Sequence, residues 1–366
     1  MSKHLRVSPR WLAGCLVSAS LLGACAPDEA PQAPAAGEAQ PASEAQAGDI
    51  SVSLSVPKAA LSAREDVFVT VTLRNEGTRA ARLLKWHTPA EDVEEALFDV
   101  TVDGEAVAFQ GPHYKRPAPG AGDYLTLAPG ESLTRTVALS DFYDVSRTGN
   151  YRVSYAAELH GGEVAAFRTN SVELWVEGRP NAVREAAAAP GGTVTLGAVT
   201  YSKCDATQQS TALQALNAAS AMANDSVSYL NGTPSGTPRY VTWFGAFSSS
   251  GWNTAKTHFV AIKDALDTKP ITIDCGCKKT YYAYVYPAQP YKIYVCKAFW
   301  AAPMTGTDSK GGTLIHELSH FNVVAGTDDH VYGQSGAKSL AISNPTQALN
   351  NADNHEYFAE NTPFLQ

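Results

Sequence analysis

The sequence predicts two domains, an all-β, immunoglobulin-like sandwich over residues 49–178 followed by an α+β half over residues 200–366. Three observations predict this. With 366 residues, the chain has room for two units of about 100–200 residues each. Between residues 50 and 176 the apolar residues alternate with polar ones, as they do in half-buried strands. Beyond residue 200 the spacing becomes that of amphipathic helices. Hydrophobic residues make up 44%, enough to fill two cores, and charged residues only 17%, too few for a coiled coil or a disordered chain. The net charge is −8 with no basic run, so nucleic acid is excluded as a partner.

The first element is an export signal. Lys3, Arg6 and Arg10 form a positive region ahead of a short apolar run, residues 11–22, which is too short to span a membrane comfortably. Leu22-Gly23-Ala24-Cys25 resembles a bacterial lipobox, which implies lipidation of Cys25; the alternative is an ordinary signal with an incidental cysteine. Residues 26–48 are rich in Ala, Pro, Glu and Gln without hydrophobic period, and read as a flexible tether. The expectation is an exported outer-membrane or cell-surface lipoprotein, touching the membrane only through its N-terminal lipid.

The sandwich follows. Ser51-Val52-Ser53-Leu54-Ser55-Val56 alternates with period two, and further strands are expected at 67–73, 97–102, 133–139, 151–159 and 172–176. Asn75-Glu76-Gly77, Asp103-Gly104 and Pro129-Gly130 supply the turns. Thr148-Gly149-Asn150-Tyr151 looks like an immunoglobulin-type corner. No catalytic constellation is visible in this region. Residues 179–199, with Arg179-Pro180 and Gly191-Gly192, form an exposed linker that is easily nicked.

In the second half Asp205 can cap a helix carrying Leu213, Leu216, Ala223, Val227 and Leu230 on one stripe. Phe259, Ile262 and Leu266 suggest another helix, while 281–286 and 291–295 alternate as a hairpin. Cys204, Cys275, Cys277 and Cys296 are an even set in an oxidising compartment, which reads as two disulfides. A Cys₄ zinc site is disfavoured because Cys275-Gly276-Cys277 is spaced more tightly than such sites require.

The chemistry lies in His316-Glu317-Leu318-Ser319-His320. Positions i and i+4 share a helix face, so both imidazoles can reach one metal ion. Glu317 lies beside them, able to take a proton from a water activated there without becoming a ligand. Zinc in a hydrolase needs a third protein ligand and one open position. Asp328, Asp329 and His330, in the glycine-flanked loop after the motif, are the candidates, and Tyr332 can offer a phenol to an oxyanion. A chance match on a surface helix is the alternative for the five-residue motif alone.

The motif followed by Gly326-Thr327-Asp328-Asp329-His330-Val331-Tyr332-Gly333 resembles the signature of the aspzincins, the deuterolysin-type zinc endopeptidases. The resemblance implies one Zn²⁺ per chain held by His316, His320 and Asp329, with Glu317 as general base and Tyr332 assisting the transition state. It is closer to the peptidyl-Lys branch across 200–366, through Thr242-Trp243-Phe244-Gly245, Tyr284-Val285-Tyr286-Pro287 and Asn351-Ala352-Asp353-Asn354-His355-Glu356-Tyr357-Phe358. That branch implies disulfides Cys204–Cys275 and Cys277–Cys296. It also implies a mainly helical zincin-type fold with a small antiparallel sheet, and Asp353 and Glu356 as binders of a substrate lysine. On a helical turn, residues three apart face the same way. Protein or peptide substrates are the implied partners, acted on by a monomeric catalytic half. The alternatives are an endopeptidase of broad specificity, or a non-catalytic surface module with a structural metal.

Overall fold

The computed structural model describes residues 50–156, 168–178 and 199–366. The export signal, Cys25, the 26–48 tether, the end of the expected 151–159 strand and nearly all of the linker lie outside them. The described residues belong to one compact unit that holds two separate hydrophobic cores.

The first core lies between two sheets. In one, Ile50–Ser55 pairs antiparallel with Phe68–Asn75, and that strand with Ser132–Ala138. In the other, Gly149–Tyr155 lies between Ser171–Val176 and Phe98–Val102, antiparallel to both. The period-two pattern fixes which face is buried: Ile50, Val52 and Leu54 point inward with Val69, Val71 and Leu73, against Val100, Val102, Tyr151 and Val153. At the start of Gly149–Tyr155 the Tyr151 hydroxyl donates to the Arg147 carbonyl at 2.8 Å.

The second core is mainly helical. Asp205 caps Ala206–Leu230 by accepting from the Gln208 amide at 2.8 Å, and Ser248 caps Ser249–Thr268. Both disulfides form with the implied pairing. The sheet differs from the expected small antiparallel one. Thr200–Ser202, Thr272–Asp274 and Lys292–Val295 pair in parallel, and Ala283–Val285 runs antiparallel to Lys292–Val295. The reason is connectivity: three helices separate Thr200–Ser202 from Thr272–Asp274, and a crossover of that length suits parallel pairing.

The sheet also has a fifth strand from the other half of the chain. His113–Lys115 pairs antiparallel with Ala283–Val285, placing His113 opposite Val285, Tyr114 opposite Tyr284 and Lys115 opposite Ala283. Pro112 and Pro117 bracket this segment. Neither can donate to a ladder, so the added strand stays short.

Candidate active site

The site is built on helix Lys310–His320. Ser309 starts it, its hydroxyl accepting from the Gly312 amide at 2.9 Å. At Gly311 a Cβ would meet Ala218 and Ala219 of the long helix at 3.0–3.3 Å, so glycine permits this close approach. Every residue of the helix is buried. His316 and His320 turn their Nε2 atoms toward each other, 3.1 Å apart.

The chain then reverses so that Asp329 reaches the imidazoles. Gly326 has a φ of +58°, a conformation glycine adopts without strain. The Thr327 amide donates to the Ser319 carbonyl at 3.1 Å, and the Thr327 carbonyl accepts from His320 Nδ1 at 2.8 Å. Beyond it, the His330 and Val331 amides both donate to Asn351 Oδ1, at 2.7 and 3.1 Å. Of the three candidate ligands, Asp329 is the one directed inward: its Oδ1 is 3.3 Å from His316 Nε2 and its Oδ2 3.4 Å from His320 Nε2. Asp328 is half-exposed and lies 3.5 Å from His113 Nδ1. The His330 imidazole lies beside Asn350.

These separations fit zinc. Bonds of 2.0–2.1 Å in a tetrahedral shell put neighbouring ligand atoms about 3.3–3.4 Å apart. Both Asp329 oxygens and both Glu317 oxygens are buried without a hydrogen-bond partner, which in a folded interior calls for a cation or a reactant. The imidazoles are oriented from behind, His320 by Thr327 and His316 by Asp353, whose Oδ1 lies 2.9 Å from His316 Nδ1. Burial pushes the Glu317 carboxyl up to about 7, against the opposing pull of His316 and His320. A carboxyl tuned in that way suits a general base near neutral pH.

Asp353 and Glu356 lie on helix Ala352–Glu360, fully buried. Their cation comes from the chain itself. Lys115 Nζ lies 2.7 Å from Glu356 Oε2, 3.4 Å from Asp353 Oδ1 and 3.3 Å from Asp308 Oδ1. The rings of Tyr282 and Tyr357 lie 5.0 and 5.6 Å away, within cation–π range. Burial works against the Lys115 charge, but Asp353 and Glu356 overcome it and hold the ammonium well above its usual range.

Two neighbours of Lys115 touch the rest of the site. An imidazole nitrogen of His113 lies within 4.8 Å of ligand atoms of His320 and Asp329, and burial pushes His113 down to about 4. Arg116 Nη1 donates to the Tyr332 hydroxyl at 2.8 Å, and that hydroxyl donates to Glu95 Oε1 at 2.9 Å. Arg116 also pairs with Glu94 and Glu95. The N-terminal half, in which the sequence shows no catalytic constellation, thus places Glu95, His113, Lys115 and Arg116 against these residues. The only local signal was His113-Tyr114-Lys115-Arg116 between prolines.

The family described as "Lysine-specific metallo-endopeptidase", the aspzincins, matches residues 229–360. The chain is 49% identical over 309 residues to the "Extracellular protease" of Aeromonas hydrophila, with 82% of this chain and 89% of that protein covered. It is 36% identical over 312 residues to the "Peptidyl-Lys metalloendopeptidase" of Armillaria mellea, covering 82% and 88%. The solved "Zinc peptidase from Grifola frondosa" is 46% identical, spans 44% of this chain and all of that one, and superposes with a TM-score of 0.44.

Proposed function

Because the chain belongs to the aspzincin family of zinc metalloendopeptidases, we propose that it cleaves peptide bonds on the amino side of lysine and that the two-domain form is its latent precursor. The observation that carries this is the Lys115 ammonium, held by Asp353, Glu356 and Asp308 in a buried cage. An ammonium is compact and has three donors, which three carboxylates can satisfy; a planar guanidinium would fit less well.

His316, His320 and Asp329 hold one zinc ion per chain, which supplies Lewis acidity and lowers the pKa of water. Glu317 takes the proton of the attacking water and delivers it to the leaving amine. Tyr332 donates a hydrogen bond to the developing oxyanion once its hydroxyl is free of Glu95 and Arg116. In the precursor, Lys115 fills the lysine pocket and Arg116 with Glu95 occupies Tyr332. Export through residues 1–25, lipidation at Cys25 and cleavage within 179–199 complete this reading, with residues 200–366 released as a monomer. The hydrogen bond from Tyr151 to Arg147 supports an immunoglobulin-like assignment for the N-terminal half.

Secreted active material, used to digest a denatured protein and read by mass spectrometry, should yield peptides that begin with lysine. Fragments beginning with many residue types would instead indicate broad specificity. The N-terminus of that material should fall within 179–200, and activity found only in the intact lipidated chain would overturn the latency.

A further inference from the structure

We infer that His113 is a fourth zinc ligand in the precursor, closing the coordination position that a hydrolytic zinc must keep open. This rests on the zinc assignment above and adds to it a residue from the N-terminal half.

Strand alternation supplies the first argument. Successive side chains point to opposite faces, so His113 and Lys115 share a face while Tyr114 points away. Lys115 reaches the carboxylates of Asp353 and Glu356, and Tyr114 packs on Tyr281 and Tyr284 with ring centroids 5.3 and 5.1 Å away. His113 is thereby turned toward the metal cage. Its ring centroid is 4.8 Å from that of His320, and one of its nitrogens lies within 4.8 Å of His320 and Asp329 ligand atoms.

The second argument is a pattern shared by three imidazoles. A ligating histidine holds one nitrogen on a protein acceptor and turns the other to the metal. His316 has Nδ1 2.9 Å from Asp353 Oδ1, and His320 has Nδ1 2.8 Å from the Thr327 carbonyl. His113 approaches the same arrangement without completing the hydrogen bond: its Nδ1 faces Asp328 Oδ1 at 3.5 Å, so Nε2 is the nitrogen available to the ion. Asp328 lies on the far side of this histidine from the cage, its Oδ1 accepting from the Asp329 amide at 2.9 Å. Three histidines and one aspartate make a closed tetrahedral set, the arrangement of a structural zinc rather than a catalytic one. Withdrawal of the strand would remove one ligand and open the site.

The test uses the full-length chain carrying Glu317→Gln, so that it cannot digest itself, loaded with zinc and examined by X-ray absorption. Three imidazoles and one carboxylate are expected, falling to two imidazoles in His113→Ala and His113→Gln. Zinc release to a chelator should accelerate by at least the roughly 10–100-fold that loss of an outer-shell partner costs. Two imidazoles in the unaltered strand overturn the inference, whether or not the variants fold. If Asp329→Ala leaves zinc binding unchanged, the zinc assignment itself fails, and the inference with it.

Discussion

The metal cage and the lysine pocket lie on adjacent helices, Lys310–His320 and Ala352–Glu360, and both bury carboxylates beside His316. They differ in what completes them. In the lysine pocket the negative charge is met by Lys115, an ammonium covalently part of the same chain. In the metal cage the Glu317 and Asp329 carboxylates accept no hydrogen bond, and Asp329 faces only the His316 and His320 imidazoles, at 3.3 and 3.4 Å. A buried charge without a partner is costly, so each cluster specifies a cation of a different kind: a compact organic ammonium in one, a metal ion in the other. In the proposed function, recognition and catalysis would therefore be adjacent, with His316 in contact with both clusters through Asp329 and Asp353.

The largest expected effect breaks the cage from within. Glu317→Gln should keep zinc and the fold while lowering kcat/KM by about 10²–10⁴, since only the proton carrier is removed. Asp329→Ala should lose the metal as well. Zinc content measured beside peptide hydrolysis separates the two, and an active Asp329→Ala with full zinc would place the third ligand elsewhere.

The next prediction breaks the pocket. Lys115→Met leaves three carboxylates without their cation, and losing one partner of a buried ion pair costs about 3–5 kcal/mol. In the precursor the strand should dock less tightly, lowering Tm and raising hydrolysis of an Xaa-Lys peptide before any processing. Lys115→Arg, which keeps the charge in a planar group, should fall between the two. A Lys115→Met precursor as silent as the parent would show that latency does not depend on the pocket.

Much of this was legible in the sequence. The His316–His320 spacing encodes local geometry, one helical turn, which is what sequence spacing reports; it left Asp328, Asp329 and His330 open as the third ligand, and only the family resemblance pointed to Asp329. Spacing likewise placed Asp353 and Glu356 on one helical face, while their assignment to a lysine came from the family resemblance. The period-two runs around Val52, Val71 and Val153 marked the N-terminal strands. The added strand His113–Lys115 was not legible, because three residues are too few to show a period and their partner Ala283–Val285 lies far along the chain. The parallel pairing of Thr200–Ser202 with Thr272–Asp274 was missed for the same reason. Lys115 itself resembled any surface lysine, since its burial is caused by carboxylates contributed from elsewhere.

The third prediction sharpens the comparison at the residue shared by both clusters. Asp353 Oδ1 lies 2.9 Å from His316 Nδ1, whereas Glu356 Oε2 lies 3.5 Å from it and closer to Lys115. Asp353→Asn should therefore weaken lysine preference and also lower zinc affinity by about 10–100-fold. Glu356→Gln should weaken the preference alone. Equal zinc affinities in the two variants would mean that the clusters are independent.

The smallest effect concerns Glu360, behind the pocket, whose carboxylate accepts from the Ser309 amide at 2.7 Å and the Asp308 amide at 3.2 Å. Burial, reinforced by the charge of Glu356, pushes it up from 4.5 to about 8, while Lys115 pulls the other way. Between those values the folded chain binds more protons at this group than the unfolded chain does. The stability it contributes is therefore complete below about pH 4.5 and is lost as pH rises through about 8. Glu360→Gln removes that titration, so its Tm should match or trail the parent near pH 5 and exceed it by a few degrees near pH 9. In a Lys115→Met background the loss should continue to higher pH and the Glu360→Gln advantage near pH 9 should grow, because a cation that favours the ionised form is gone. A Tm difference flat across this range would mean that Glu360 does not share the negative field of the lysine pocket.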